Sequence, residues 1–185
     1  MKIRIQDLTS EDTRLIEQIA AMLVEGFREM APEAWETLEE ALEEVRDSLV
    51  PDHISRVAVD ESGAAVGWIG GIPEYEGNVW ELHPLVVRPD VQGKGIGRAL
   101  VADLEEQVKA RGGLTLTLGS DDIAGMTSVY GIDLYPNPLE HLVNIRNLRR
   151  HPYEFYLKCG FSFTGIVPDA NGRGKPDLYL SKRIV

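Results

Sequence analysis

Gln92-Gly93-Lys94-Gly95-Ile96-Gly97-Arg98 decides how this chain is read. An apolar run, Val79 to Val87, precedes it and ends at Arg88-Pro89; an amphipathic stripe, Ile96, Leu100, Leu104 and Val108, follows it. The pattern is strand, glycine-rich turn, helix, so consecutive backbone N–H groups and the positive end of the helix dipole are set to hold an anion. Glycine lets the backbone come close to oxygen, and Lys94 and Arg98 add positive charge. A phosphate is the expected guest. The spacing excludes a Walker loop, which needs Gly, four residues, then Gly-Lys-Ser/Thr, and there is no repeated βαβ unit to support a dinucleotide fingerprint.

Outward from the loop, Gly112-Gly113 stops the helix and Leu114 to Leu118 alternates at period two, predicting a strand that ends at Gly119-Ser120-Asp121-Asp122. Strand, turn, helix, strand makes a parallel crossover. Upstream, Ile54 to Asp60 and Ala65 to Ile72 read as a hairpin about Ser62-Gly63. Ile3 and Ile5 mark a short first strand. Leu15, Ile16, Ile19, Met22, Leu23 and Phe27 recur at helical spacing behind the candidate N-caps Thr9 and Ser10. A second amphipathic helix carries Trp35, Leu38, Leu42, Val45 and Leu49 among many acids. Downstream, 123–137 has weak periodicity; 138–150 is a candidate helix, and 151–158 another, capped by Gly160. Two last strands, Phe161 to Val167 and Leu178 to Ile184, flank a turn-rich loop.

The 185 residues, 43% of them hydrophobic, suffice for one globular domain over 1–185. The formal net charge of −11 repels nucleic acid and anionic membrane and suits a cationic partner. No run approaches the ~20 apolar residues of a bilayer span, and the amino terminus lacks an apolar signal core, so a cytoplasmic protein is expected. The lone Cys159 excludes an internal disulfide and reads as a small buried hydrophobe; no metal site is expected.

The loop resembles the acetyl-coenzyme A signature of the GNAT acetyltransferase superfamily, Arg/Gln-x-x-Gly-x-Gly/Ala, through Gln92, Gly95 and Gly97. The likeness extends through Trp80 to Val87, Leu118 to Asp122, His151-Pro152-Tyr153-Glu154-Phe155-Tyr156, Pro168 to Gly172 and Lys175-Pro176-Asp177. In that order these segments are similar to the aminoglycoside 6'-N-acetyltransferases of the chromosomal enterococcal type. The resemblance implies an α/β fold with a mixed, V-splayed sheet flanked by helices and coenzyme A in its opening. It places pyrophosphate on Gln92, Gly93, Lys94, Gly95, Ile96, Gly97 and Arg98, and pairs pantetheine with the backbone of Leu85, Val86 and Val87. The Leu85 amide is then the donor to the acetyl oxygen.

An alkylamine with a pKa near that of lysine, about 10.4, is almost wholly protonated at neutral pH, so attack on a thioester calls for a proton acceptor. Glu81, His83 and Leu85 share one strand face, with Glu81 and His83 roughly 6 to 7 Å apart. By geometry and resemblance Glu81 is the leading base, in a strand expected to be largely buried, and His83 is a relay or a core hydrogen bonder. Asp121, at a strand end where α/β sheets place ligands, is the rival base. Tyr156 matches the superfamily's tyrosine and would serve the departing thiolate. Where many members carry asparagine seven residues earlier, this chain has Arg149.

Glu74, Tyr75, Trp80, Asp121, Asp122 and Asp177 are the candidate contacts for a cationic sugar. The activity implied is acetylation of an aminoglycoside's 6'-amine, giving antibiotic resistance. Acetylation of a polyamine, peptide or protein amine, and a coenzyme A-binding module without turnover, are the alternatives. A homodimer is expected, paired through strand edges near the carboxyl terminus.

Overall fold

The computed structural model describes residues 2–184, so the expected single domain 1–185 includes two residues, Met1 and Val185, that lie outside the described residues. The chain divides into two compact units: one runs to Leu116 and takes in Ile184, and the other is Thr117–Arg183.

In the first unit four antiparallel strands follow in chain order: β1 (Arg4–Asp7), β2 (Ile54–Val59), β3 (Ala65–Glu74) and β4 (Val79–Val87). Between β1 and β2 come α1 (Thr13–Phe27) and α2 (Leu38–Asp47), and after β4 comes α3 (Ile96–Ala110). Helix α1 starts at Asp12, later than Thr9 and Ser10 suggested, because Thr9 donates its amide and hydroxyl to the Asp12 carboxylate and so remains in the preceding turn. Helix α2 opens on a reciprocal cap between Thr37 and Glu40, a Thr-x-x-Glu signal present in the sequence.

All six residues of β2 are buried, which forces its polar members to find partners. The Trp68 indole N–H donates to Ser55 Oγ at 2.9 Å, and Ser48 Oγ lies 2.9 Å from the same oxygen. Arg56 grips Asp103 of α3 through Nε at 2.7 Å and Nη2 at 3.0 Å, and also donates to Asp7. The stripe of α3 lies close on β3 because two strand positions are glycine: a Cβ on Gly67 would meet Leu100 Cδ1 at 2.9 Å, and one on Gly71 would meet Leu104 Cδ1 at 2.8 Å.

The second unit holds most of β5 (Thr115–Asp121), which outruns the expected stop at Gly119, then α4 (Pro138–Val143), α5 (Tyr153–Lys158), β6 (Ser162–Val167) and β7 (Asp177–Arg183). The strand order here is β5, β7, β6. Helix α4 covers only the start of the expected 138–150 segment. Helix α5 ends where Gly160, at φ +91°, turns its amide to the Leu157 carbonyl at 3.0 Å. Cys159 is half-buried rather than buried.

Candidate active site

In the first unit β4 alternates strictly: Trp80, Leu82, Pro84 and Val86 are buried, whereas Glu81, His83, Leu85 and Val87 are half-buried. Glu81, His83 and Leu85 therefore share the expected face, which is less enclosed than the apolar run suggested. The pairing with β3 is broken within this stretch. Ile69 faces Leu85 and Gly71 faces Leu82, so two residues of β4, His83 and Pro84, stand opposite the single Gly70. A Cβ on Gly70 would lie 2.2 Å from the His83 carbonyl oxygen; only glycine fits there.

Two neighbours of His83 were not read from the sequence. Its Nε2 lies 3.6 Å from Glu44 Oε1 on α2, and its ring centroid is 6.2 Å from that of Trp35. Glu44 sits on the acidic face that the helical spacing showed, whereas Trp35, expected in the same helix, precedes the cap at Thr37; nothing in that spacing pairs either residue with β4. A cavity of about 50 Å³ lies here, lined by Glu44, Asp47, Ser48, His53 and His83.

Trp80 corrects an expectation. Parity puts it on the opposite face of β4 from Glu81, 4% exposed, where its indole N–H donates to the Gly77 carbonyl at 3.0 Å and the Arg111 guanidinium stands 5.9 Å from its ring centroid. It belongs to the core, not to a sugar site. Glu74, the last residue of β3, and Tyr75, in the turn to β4, are exposed, Tyr75 by 75%.

The loop before α3 has the form the motif predicts. Gly93 and Gly95 adopt φ of +75° and +86°, a backbone that only glycine adopts freely, and Gly95 starts α3 with no side chain capping its amides. Gln92 folds back instead, donating Nε2–H to the Val87 carbonyl at 3.0 Å. Lys94 and Arg98 are exposed, and Ile96 is buried beneath the loop as its anchor. Orphan helix amides flanked by two cations form a donor set that fits a pyrophosphate.

In the second unit the two neighbouring aspartates have opposite fates. Asp121 is exposed, and its carboxylate accepts a short hydrogen bond from Asn171 Nδ2. Asp122 is 0% exposed: its oxygens accept the Met126 amide at 2.7 Å and the Thr127 amide at 2.8 Å, tying down the irregular stretch after β5. The expectation that Asp122 contacts substrate is therefore corrected; its acceptors are spent on backbone.

Asp177 begins β7 over Gly119, with Oδ1 buried and, among the described residues, unpartnered. Burial, then the charge of Asp121, push its carboxyl up to about 6, against hydrogen bonds from Tyr179 and from backbone amides. Tyr156 on α5 packs edge-on between Phe155 and Phe161, with ring centroids 5.1 and 5.7 Å away. Burial, and secondarily Cys159, push its phenol well above the ordinary range, so it keeps its proton through neutral pH. Among the described residues no group of three or more His, Cys, Asp or Glu side chains is arranged to hold a metal ion.

The pattern of the acetyltransferase (GNAT) family matches residues 17–130. Similar solved structures include an aminoglycoside 6'-N-acetyltransferase complexed with coenzyme A, 39% identical with a TM-score of 0.89, covering 98% of this chain and 97% of that one. The aminoglycoside 6'-N-acetyltransferase from Enterococcus faecium is 38% identical, with a TM-score of 0.88 and the same coverage. An aminoglycoside 6'-acetyltransferase type Ii is 34% identical, with a TM-score of 0.74, again over 98% and 97%. No curated protein sequence matches. The chain belongs to the GNAT acetyltransferase family: it is an α/β acetyltransferase with a mixed sheet and flanking helices, and acetyl-CoA is its donor.

Proposed function

We propose that this chain transfers acetyl from acetyl-CoA to the 6'-amine of aminoglycosides by direct attack, an activity that confers resistance on the cell holding it. The full-length likeness to aminoglycoside 6'-N-acetyltransferases carries this reading. The net charge of −11 and the exposed acids at Glu74 and Asp121 agree with a polycationic acceptor.

The chain 1–185 works as one catalytic domain. Residues 92–98 hold the pyrophosphate of the donor, and the backbone of Leu85, Val86 and Val87 pairs with its pantetheine arm. Acetyl-CoA supplies an activated thioester. Glu81, assisted by His83, takes a proton from the acceptor's ammonium, with Asp121 as the rival base; the freed nitrogen attacks the carbonyl carbon, and the carbon–sulfur bond breaks. The second proton lost from nitrogen as the amide forms balances the one taken up by the thiolate. The Leu85 amide donates to the oxygen that gathers charge, and Tyr156, protonated at neutral pH, donates to the leaving thiolate. Glu74, Tyr75, Asp121 and Asp177 read the remaining ammonium and hydroxyl groups.

The enzyme acts in the cytoplasm as a homodimer. Support for the dimer comes from β6, which ends its strand order, and from the exposed Leu139, Val143 and Leu148. Among the described residues no helix is long and apolar enough to cross a membrane. Locating the acetyl group on a reacted aminoglycoside by NMR tests the regiochemistry. Acetyl on N6' supports it, and acetyl on any other amine contradicts it.

A further inference from the structure

His151 takes no part in the chemistry above, yet it is 2% exposed with both ring nitrogens engaged. Nδ1 lies 3.2 Å from the Tyr153 amide, which can only donate, so Nδ1 carries no proton. The neutral ring therefore has its hydrogen on Nε2, 3.0 Å from the Asp121 carbonyl oxygen, which can only accept. Burial holds the imidazole below its ordinary range, opposed by the charges of Asp122 and Asp121. Its main chain is gripped on both sides by Asn147, which accepts the His151 amide and donates to its carbonyl, each at 2.8 Å.

These bonds join two pieces of the second unit. One is the end of β5, whose Asp121 carboxylate is already steadied by Asn171. The other is the first turn of α5, where the Pro152 carbonyl accepts the amides of Phe155 at 2.9 Å and Tyr156 at 3.4 Å. We propose that His151 is a positioning residue for acetyl transfer: through Nε2–H it sets the main chain of Asp121, and through Nδ1 the start of the helix that carries Tyr156. The proposal rests on the reading that Asp121 and Tyr156 serve the acceptor and the leaving thiolate. The titratable groups facing the ring are Asp121 at the end of β5, Asp122 just after it, and Tyr153 on α5. A second proton on the ring would set Nδ1–H against the Tyr153 N–H, donor against donor, and release α5.

The first test needs no turnover. Nitrogen-15 NMR of the imidazoles should show His151 neutral at pH 7 with its proton on Nε2; a proton on Nδ1 overturns the proposal. The second compares His151→Phe with His151→Gln, whose amide still reaches the Asp121 carbonyl. His151→Phe should lower kcat/KM for a 6'-amino aminoglycoside by about 100-fold, the effect of an ångström-scale misplacement, with acetyl-CoA affinity within about twofold. His151→Gln should recover all but about fivefold of it. If His151→Phe does not fold, His151→Asn replaces it, since the same amide on a shorter stem falls short of Asp121; it should lie at least about tenfold below His151→Gln. Equal kcat/KM in the variants compared, or loss of acetyl-CoA binding in step with turnover, overturns the proposal. A wild-type protein that acetylates no aminoglycoside would instead overturn the functional reading, leaving the tautomer measurement to stand by itself.

Discussion

Gly119 and Asp177 are fitted to each other: a Cβ on residue 119 would stand 2.8 Å from Asp177 Oδ2 and 3.2 Å from Oδ1. The missing side chain on β5 is what lets a carboxylate lie flat against the strand beside Asp121. Gly119→Ala should drive Asp177 out of this seat. The expected outcome is a rise of about tenfold in acceptor KM, with acetyl-CoA affinity unchanged and a stability loss of about 1–3 kcal/mol from overpacking. Steady-state kinetics and thermal melts check both, and an unchanged KM would show that the seat has no bearing on the acceptor.

Asp177 also makes stability depend on pH in an unusual direction. Its folded carboxyl is raised from 3.8 to about 6, so between those values the folded state binds the extra proton and stability falls as pH rises. Above pH 6 the ionised, half-buried carboxylate exerts its full destabilising effect. Asp177→Asn should therefore raise Tm at pH 7.5 relative to wild type and gain little at pH 4, while weakening acceptor binding. A Tm difference independent of pH would contradict the assignment.

In the proposed mechanism Glu81 accepts the acceptor's proton, which the amide of Glu81→Gln cannot do. We expect kcat to fall by about 10²- to 10³-fold with acetyl-CoA affinity intact. If kcat holds in Glu81→Gln and falls in Asp121→Asn, the base is Asp121.

Arg56 is 9% exposed and forked onto Asp103, which ties β2 to α3. Removing one partner of such a pair strands the other, so Arg56→Ala should cost about 3–5 kcal/mol in urea unfolding. An apolar pair of similar volume, Arg56→Met with Asp103→Leu, should recover most of that. Failure of the pair to recover stability would point to Asp7, the third member, as the dominant partner.

Much of this architecture was legible because it rests on short-range periodicity. The glycine loop 92–98 carries its own geometry, with positive φ at Gly93 and Gly95, and the alternation of β4 put Glu81, His83 and Leu85 on one side. The same alternation also assigned Trp80 to the other face, and its expected sugar contact failed on that ground. Asp122 could not have been read, because the amides it satisfies belong to Met126 and Thr127 in a stretch without pattern. Past the extension of β5 beyond Gly119, the Asp122 amide donates to the Pro176 carbonyl at 2.9 Å, a partner far away in the chain. Glu44 beside His83, and the bonds of His151 to Asp121 and Tyr153, are likewise products of tertiary packing. The Thr37-x-x-Glu40 cap, by contrast, was local and readable.

The central claim is the acceptor, and the most direct measurement is thiol release from acetyl-CoA with two matched aminoglycosides, one bearing a 6'-amine and the other a 6'-hydroxyl. Saturable release with the amine and none with the hydroxyl compound is the predicted result. Equal release with both, or release only with a polyamine or peptide amine, would contradict it.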